Sequence, residues 1–207
     1  GVVIANPNAP TGRSVDLEDI RRVLEEHRDV VVLVDEAYVD FGGVSADTLL
    51  KEYDNLVVVR TLSKSRALAG LRVGYALGSP NLIAGLCCVR DSINSYTVDR
   101  LAQAGAVAAL EDGPYFEEMR ERVIRTRERT EERLRAMGFA VLESKANFLF
   151  VSHPKRTGKA LLDGLREQGI LVRWFDRPRI GNYLRISVGT DDEMDALCAA
   201  LKALTEG

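Results

Sequence analysis

Val30-Val31-Val32-Leu33-Val34-Asp35-Glu36-Ala37-Tyr38 runs five apolar residues, four of them valine, directly into two carboxylates. A short β-branched run without polar alternation predicts a strand buried on both faces, as in a parallel sheet flanked by helices. Acids at its carboxyl end lie where open α/β sheets bind ligands. Similar runs precede and follow it at Val2 to Ala5 and Leu56 to Val59, and a fourth strand is expected at Val73 to Leu77. Between the first two strands Leu17, Ile20, Val23 and Leu24 recur at helical spacing. Strand, helix and strand in alternation indicate βαβ units, so the expected fold class is α/β with a mostly parallel sheet.

Further along, helices are expected at about Asn81 to Ser92 and Asp99 to Glu111, and the composition then changes. Thirteen of the nineteen residues from Glu117 to Arg135 are charged, seven Arg and six Glu. Interleaved glutamates argue against a nucleic-acid helix and predict a solvated one laced with i,i+4 pairs. Its thin apolar stripe is Phe116, Met119, Val123, Leu134 and Met137, and it would bridge two domains. After Gly138 the pattern is α+β, with strands expected at Asn147 to Val151, Ile170 to Trp174 and Tyr183 to Val188. Helices are expected at about Thr157 to Gln168 and Asp191 to Leu204, the second opened by the capping box Thr190-Asp191-Asp192-Glu193. The expected domains are therefore residues 1–112, an α/β domain, and 113–207, a small α+β domain.

Bulk properties narrow the function classes. Of 207 residues 46% are hydrophobic and 29% charged, enough apolar surface for a real core. Lys and Arg number 28 against 31 Asp and Glu, so bulk charge implies no nucleic-acid partner. No apolar run approaches the ~18 residues of a membrane span. Cys87 and Cys88 are adjacent and Cys198 is remote, which argues for reduced, partly buried thiols and a cytoplasmic setting. His27 and His153 lack partners at ligand spacing and read as surface residues, so no metal is expected.

Two charged stretches carry the chemistry. Four apolar residues ending in Asp35-Glu36 also suit a nucleotide hydrolase, which requires a phosphate loop. The nearest candidate, Gly158-Lys159, has His153 where the first glycine belongs and Ala160 in place of the hydroxyl, so that reading fails. The third strand runs into Arg60-Thr61-Leu62-Ser63-Lys64-Ser65-Arg66-Ala67-Leu68-Ala69-Gly70-Leu71-Arg72. Thr61 and Ser63, two apart, can offer hydroxyls to a phosphate, and Arg72 adds a planar fork suited to its oxygens. Lys64 can bind an aldehyde cofactor as a Schiff base and move protons.

Taken in order, Asn6-Pro7-Asn8-Ala9-Pro10-Thr11-Gly12, Asp35-Glu36-Ala37-Tyr38, Ser63-Lys64 with Arg72, and Asn182-Tyr183-Leu184-Arg185-Ile186-Ser187-Val188-Gly189-Thr190 resemble the motif series of fold type I pyridoxal-phosphate aminotransferases of classes I and II. Asp35 to Phe41, Thr61 to Tyr75 and Val172 to Thr190 are most similar to the histidinol-phosphate aminotransferase branch. The resemblance implies the cofactor pyridoxal 5'-phosphate, held covalently by Lys64, which also moves the substrate proton. By the same resemblance Asp35 pairs with the ring nitrogen, Tyr38 meets the ring oxygen, and Thr61, Ser63 and Arg72 hold the phosphate. The family usually has asparagine directly before Pro-Thr-Gly; here that position is Ala9, leaving Asn8 to take the contact. Arg173 and Arg185 would grip an anionic group of the substrate.

The implied reaction is transamination of L-histidinol phosphate with 2-oxoglutarate, a step of histidine biosynthesis, giving imidazole acetol phosphate and glutamate. A threonine-phosphate decarboxylase, an aromatic aminotransferase or a catalytically silent fragment are the alternatives. The resemblance also implies a cytoplasmic homodimer acting on a small amino donor and a 2-oxo acid. Family members carry a segment before the Asn-Pro motif that helps form the pocket, so the chain is expected to be a partial aminotransferase.

Overall fold

The computed structural model describes residues 1–206. Four strands form the first sheet in the order β1 (Val2–Ala5), β2 (Val32–Asp35), β3 (Leu56–Thr61), β4 (Gly74–Gly78). The first three are parallel, and β4 returns antiparallel along β3. Helix α1 (Leu17–Glu26) connects β1 to β2; helices α2 (Pro80–Ile93) and α3 (Arg100–Glu111) follow β4, and the long α4 spans Gly113–Ala136.

The period of two along each strand sorts this sheet's faces. Val2, Ile4, Val32, Val34, Leu56 and Val58 turn to one side, where Ile20 and Leu24 of α1 meet Ala46, Leu49 and Tyr53 in a shared core. The other face is not uniformly covered: Val57 is buried, whereas Val3 is 74% exposed. Burial on both faces therefore fails for β1. The valine run also starts its strand late, because Val30 and Val31 are exposed and β2 begins at Val32. Asn55 explains the boundary: its amide donates to the carbonyls of Leu24, His27 and Val30, fixing the turn before the ladder.

A second, wholly antiparallel sheet follows α4, in the order β5 (Ala140–Leu142), β6 (Phe148–Ser152), β8 (Leu184–Ser187), β7 (Arg173–Trp174). Helices α5 (Gly158–Glu167) and α6 (Asp191–Glu206) complete it. Leu149, Val151, Leu161, Leu165, Leu184, Ile186, Leu197 and Leu201 form its core with Leu134 of α4. The strand expected from Ile170 shrinks to two residues for a definite reason. Gly169 at φ +76 ends α5, and the Ile170 amide bonds back to Leu165 O, so it is consumed by the helix terminus. The capping box forms as expected: Glu193 N–H donates to Thr190 Oγ1 at 3.3 Å and Thr190 N–H to the Glu193 carboxylate at 2.7 Å.

Two compact units result, Gly1–Asn8 with Ser14–Arg120, and Ala9–Arg13 with Glu121–Gly207. The division falls inside α4. That helix is less uniformly solvated than its composition suggests, since Thr126, Arg127 and Thr130 are buried with Leu134. Arg127 donates to Ala146 O at 2.9 Å, and burial pulls its guanidinium below the usual arginine range. His153 also departs from expectation. It is buried, with its ring centroid 4.8 Å from that of Phe139, rather than on the surface.

Candidate functional site

The candidate cofactor residues of the first unit lie at and just beyond the carboxyl ends of β1, β2 and β3. Asp35, the last residue of β2, pairs in register with Ala5 and Val59, and its Oδ1 accepts the Ala37 N–H at 3.0 Å. That bond turns the chain into a single 3₁₀ turn, Val39–Phe41, and leaves Tyr38 half-buried at its start. Asn8 lies half-buried on the turn after β1, whose backbone is tied to β2 by Asn6 N–H donating to Asp35 O at 2.9 Å. The Asn6 side chain is buried and exchanges two bonds with the Val15 backbone, so it holds the loop and not a ligand.

From β3 the chain passes through Thr61, Ser63 and Lys64 in a tight bend. Thr61 Oγ1 donates to Ser63 Oγ at 2.9 Å and accepts the Ser63 N–H at 3.1 Å, which sets the two hydroxyls side by side. Leu62 N–H donates to Val73 O at 3.0 Å, drawing the segment around Arg72 up to them. Arg72 itself is exposed, in the left-handed region at φ +56, and donates to Ala69 O. The Lys64 ammonium stands 5.2 Å from the centre of the Tyr38 ring, so residues from two adjacent strands meet. The bend is pinned on its far side, where Ser65 donates to Asp40 and Arg66 lies 3.5 Å over the Phe116 ring while bonding Ala109 O.

In the second unit Arg173 and Arg185 are direct cross-strand partners on β7 and β8. Both guanidinium groups face the Phe175 ring, at 5.5 and 5.7 Å, and Arg185 also lies 5.2 Å from Phe148. Among the described residues neither forms an ion pair, and Arg185 Nε is buried without a hydrogen-bond partner. Cross-strand guanidinium groups without counter-charges have the chemistry to receive an anion.

Sequence reasoning missed one cluster. Glu36 is 2% exposed, and its carboxylate accepts from Ser45 Oγ at 2.7 Å, Ala46 N–H at 2.6 Å and Arg60 Nε at 3.0 Å. Arg60 also reaches Ser45 and, at 2.8 Å, Asp47. Burial works to lower the Arg60 pKa, but bonding to Tyr75 and Glu36 outweighs it and holds the guanidinium above its ordinary value. A signal was present: Val32-Leu33-Val34-Asp35-Glu36 and Leu56-Val57-Val58-Val59-Arg60 each place a charge, of opposite sign, at the same offset in two neighbouring strands.

The donor set of the first unit suits a phosphorylated pyridine aldehyde. It offers a carboxylate at a strand end for a ring nitrogen, an amine over the ring of a phenol, and paired hydroxyls for a phosphate. Comparison with known proteins points the same way. The family model for aminotransferase class I and II matches residues 1–201. A histidinol-phosphate aminotransferase of Clostridium acetobutylicum is 54% identical over 202 residues, 98% of this chain and 57% of that protein. One from Marinomonas sp. is 56% identical over 99% of this chain and 58% of its own length. The chain thus spans a little over half the length of these curated relatives. The crystal structure of histidinol-phosphate aminotransferase from Sinorhizobium meliloti in complex with pyridoxal-5'-phosphate matches with a TM-score of 0.85 at 30% identity, over 99% of this chain and 57% of that one.

Proposed function

This chain belongs to the aminotransferase class I and II family, and from that premise we propose that it serves pyridoxal-phosphate-dependent transamination of L-histidinol phosphate with 2-oxoglutarate. The observation that carries the reading is the meeting of Lys64 with Tyr38 beside Asp35, at the carboxyl ends of two neighbouring parallel strands. When bound, the cofactor supplies the electron sink that lets an amino group pass from donor to 2-oxo acid.

The chain's own residues do the rest. Lys64 holds the cofactor covalently and carries the proton removed from the donor carbon. Asp35, fixed by the Ala37 amide, keeps a proton on the ring nitrogen by offering it a carboxylate. The Tyr38 hydroxyl and Asn8 serve the ring oxygen, while Thr61, Ser63 and Arg72 neutralise the phosphate. Arg173 and Arg185 take the donor's anionic end, for which two uncompensated guanidinium groups are suited.

The protein is proposed to work in the cytoplasm as a homodimer. Exposed Ile93, Tyr96 and Leu101, on and between α2 and α3, support an association surface there. Among the described residues no helix is long and apolar enough to cross a membrane.

The test uses the intact natural protein with pyridoxal phosphate and borohydride, followed by peptide mass spectrometry. The expected result is cofactor fixed on the Lys64 peptide and none in Lys64→Ala. Glutamate should form from histidinol phosphate and 2-oxoglutarate; release of carbon dioxide from threonine phosphate, which unlike histidinol phosphate carries a carboxylate, with no glutamate formed from histidinol phosphate would replace transamination by decarboxylation. Absence of fixation on Lys64 would overturn the reading.

A further inference from the structure

We propose that Glu36 and Arg60 are positioning residues for cofactor binding: an ion pair between a buried carboxylate and a partly buried guanidinium, on the α1 face of the sheet, that fixes the strand ends carrying Asp35 and Thr61 on the opposite face. The inference rests on the cofactor reading above and goes beyond it in assigning a role to two residues that touch no proposed ligand.

Register supplies the first argument. Asp35 pairs with Val59, and Glu36 N–H continues the ladder by donating to Val59 O at 2.8 Å, so Glu36 lies opposite Arg60. Residues of one parity, Val32, Val34, Leu56 and Val58, pack against α1, and Glu36 and Arg60 extend that row. Asp35, Val59 and Thr61 have the other parity and face the other side. The ion pair therefore sits directly behind the residues proposed to hold the ring nitrogen and the phosphate.

Connectivity supplies the second. Through Ser45, Ala46 and Asp47 the pair ties the loop after the 3₁₀ turn to both strands. That turn carries Tyr38 at its start and Asp40, the partner of Ser65 next to Lys64. One charged cluster thus lies within a residue or two of sequence of Asp35, Tyr38 and Thr61, and Lys64 follows four residues after Arg60. A carboxylate with three donors in a buried setting has little freedom to move, and the strands it joins share that rigidity.

A strand-end core needs no charge for stability, since a buried ion pair is often no better than apolar packing. Removing one partner alone leaves an uncompensated charge, so the informative change removes both.

The experiment compares the intact natural protein with Glu36→Gln/Arg60→Gln, whose two amides keep neutral hydrogen bonding in the same space. Three quantities are read: thermal stability without cofactor, pyridoxal phosphate affinity by titration, and the pH midpoint of the bound cofactor's visible absorbance. The expected result is stability close to wild type, affinity weakened roughly tenfold or more, as when a partner behind a ligand is lost, and a displaced midpoint. Affinity and midpoint both equal to wild type overturn the proposal. Should the double variant not fold, Arg60→Lys carries the test, because it keeps the charge and loses the fork to Ser45 and Asp47. Intermediate affinity supports the proposal, and wild-type affinity overturns it. Failure of the wild-type protein to bind pyridoxal phosphate would overturn the cofactor reading itself, a result distinguishable from an unaffected variant.

Discussion

Tyr38 offers the Lys64 ammonium its ring face at 5.2 Å and, in the proposed site, offers the cofactor its hydroxyl, so two substitutions separate the two contributions. Tyr38→Phe keeps the ring and loses one hydrogen bond, about 1 kcal/mol net, or roughly fivefold in pyridoxal phosphate affinity. Tyr38→Ala loses the cation–π contact as well, about 0.5–1 kcal/mol more. The expected order by spectroscopic titration is wild type, Phe, Ala, and equal affinity for all three would remove Tyr38 from the site. Gly12 illustrates a different residue-level constraint. It lies at φ +78, and a Cβ there would overlap the Ser144 side chain, whose Oγ donates to Phe148 O and accepts the Ala146 N–H. Gly12→Ala therefore combines backbone strain with overpacking and should lower the stability of the second unit by about 1–3 kcal/mol. The only tryptophan, Trp174, lies in that unit and reports its denaturant unfolding by fluorescence.

At the scale of elements, α6 depends on a cap that responds to pH. Bonds from the Thr190 backbone and side chain hold the Glu193 carboxyl below its usual range. A carboxylate depressed in the folded state contributes stability above its unfolded pKa and loses it as pH falls through the folded value. Thr190→Ala should thus lower the unfolding midpoint at neutral pH, and the difference from wild type should shrink in acid, as followed by Trp174 fluorescence. A midpoint difference that does not change with pH would contradict this coupling. The cap was legible in the sequence because all its parts lie within four residues. The long helices were legible through their spacing, and the first three strands through their apolar runs. What could not be read depended on partners distant in sequence. The antiparallel direction of β4, the three-residue β5, the buried Thr126 and Thr130 on a helix dense in charge, and the burial of His153 all follow from packing that no local pattern records. The site divides in the same way. Asp35, Tyr38, Ser63 and Lys64 stood out as strand-end motifs, whereas the Glu36–Arg60 pair emerges only when two strands are set in register.

For the whole molecule, the two units hold separate cores and separate parts of the proposed chemistry. All the residues assigned to the cofactor lie in the unit formed by Gly1–Asn8 and Ser14–Arg120, and both arginines assigned to the substrate anion lie in the other. A substitution in one set should therefore leave the other set's binding step intact. Arg185→Lys is the sharpest case. Lysine retains one positive charge but loses the planar fork and the face presented to Phe148 and Phe175. If the Arg173 and Arg185 pair receives a phosphate or carboxylate, losing bidentate recognition costs about 1.5–3 kcal/mol, roughly a ten- to hundredfold rise in the donor KM. Pyridoxal phosphate affinity and the fixation on Lys64 should stay at wild-type levels. A fall in cofactor affinity with an unchanged donor KM would move Arg185 out of substrate recognition, and with it the division of labour between the two units.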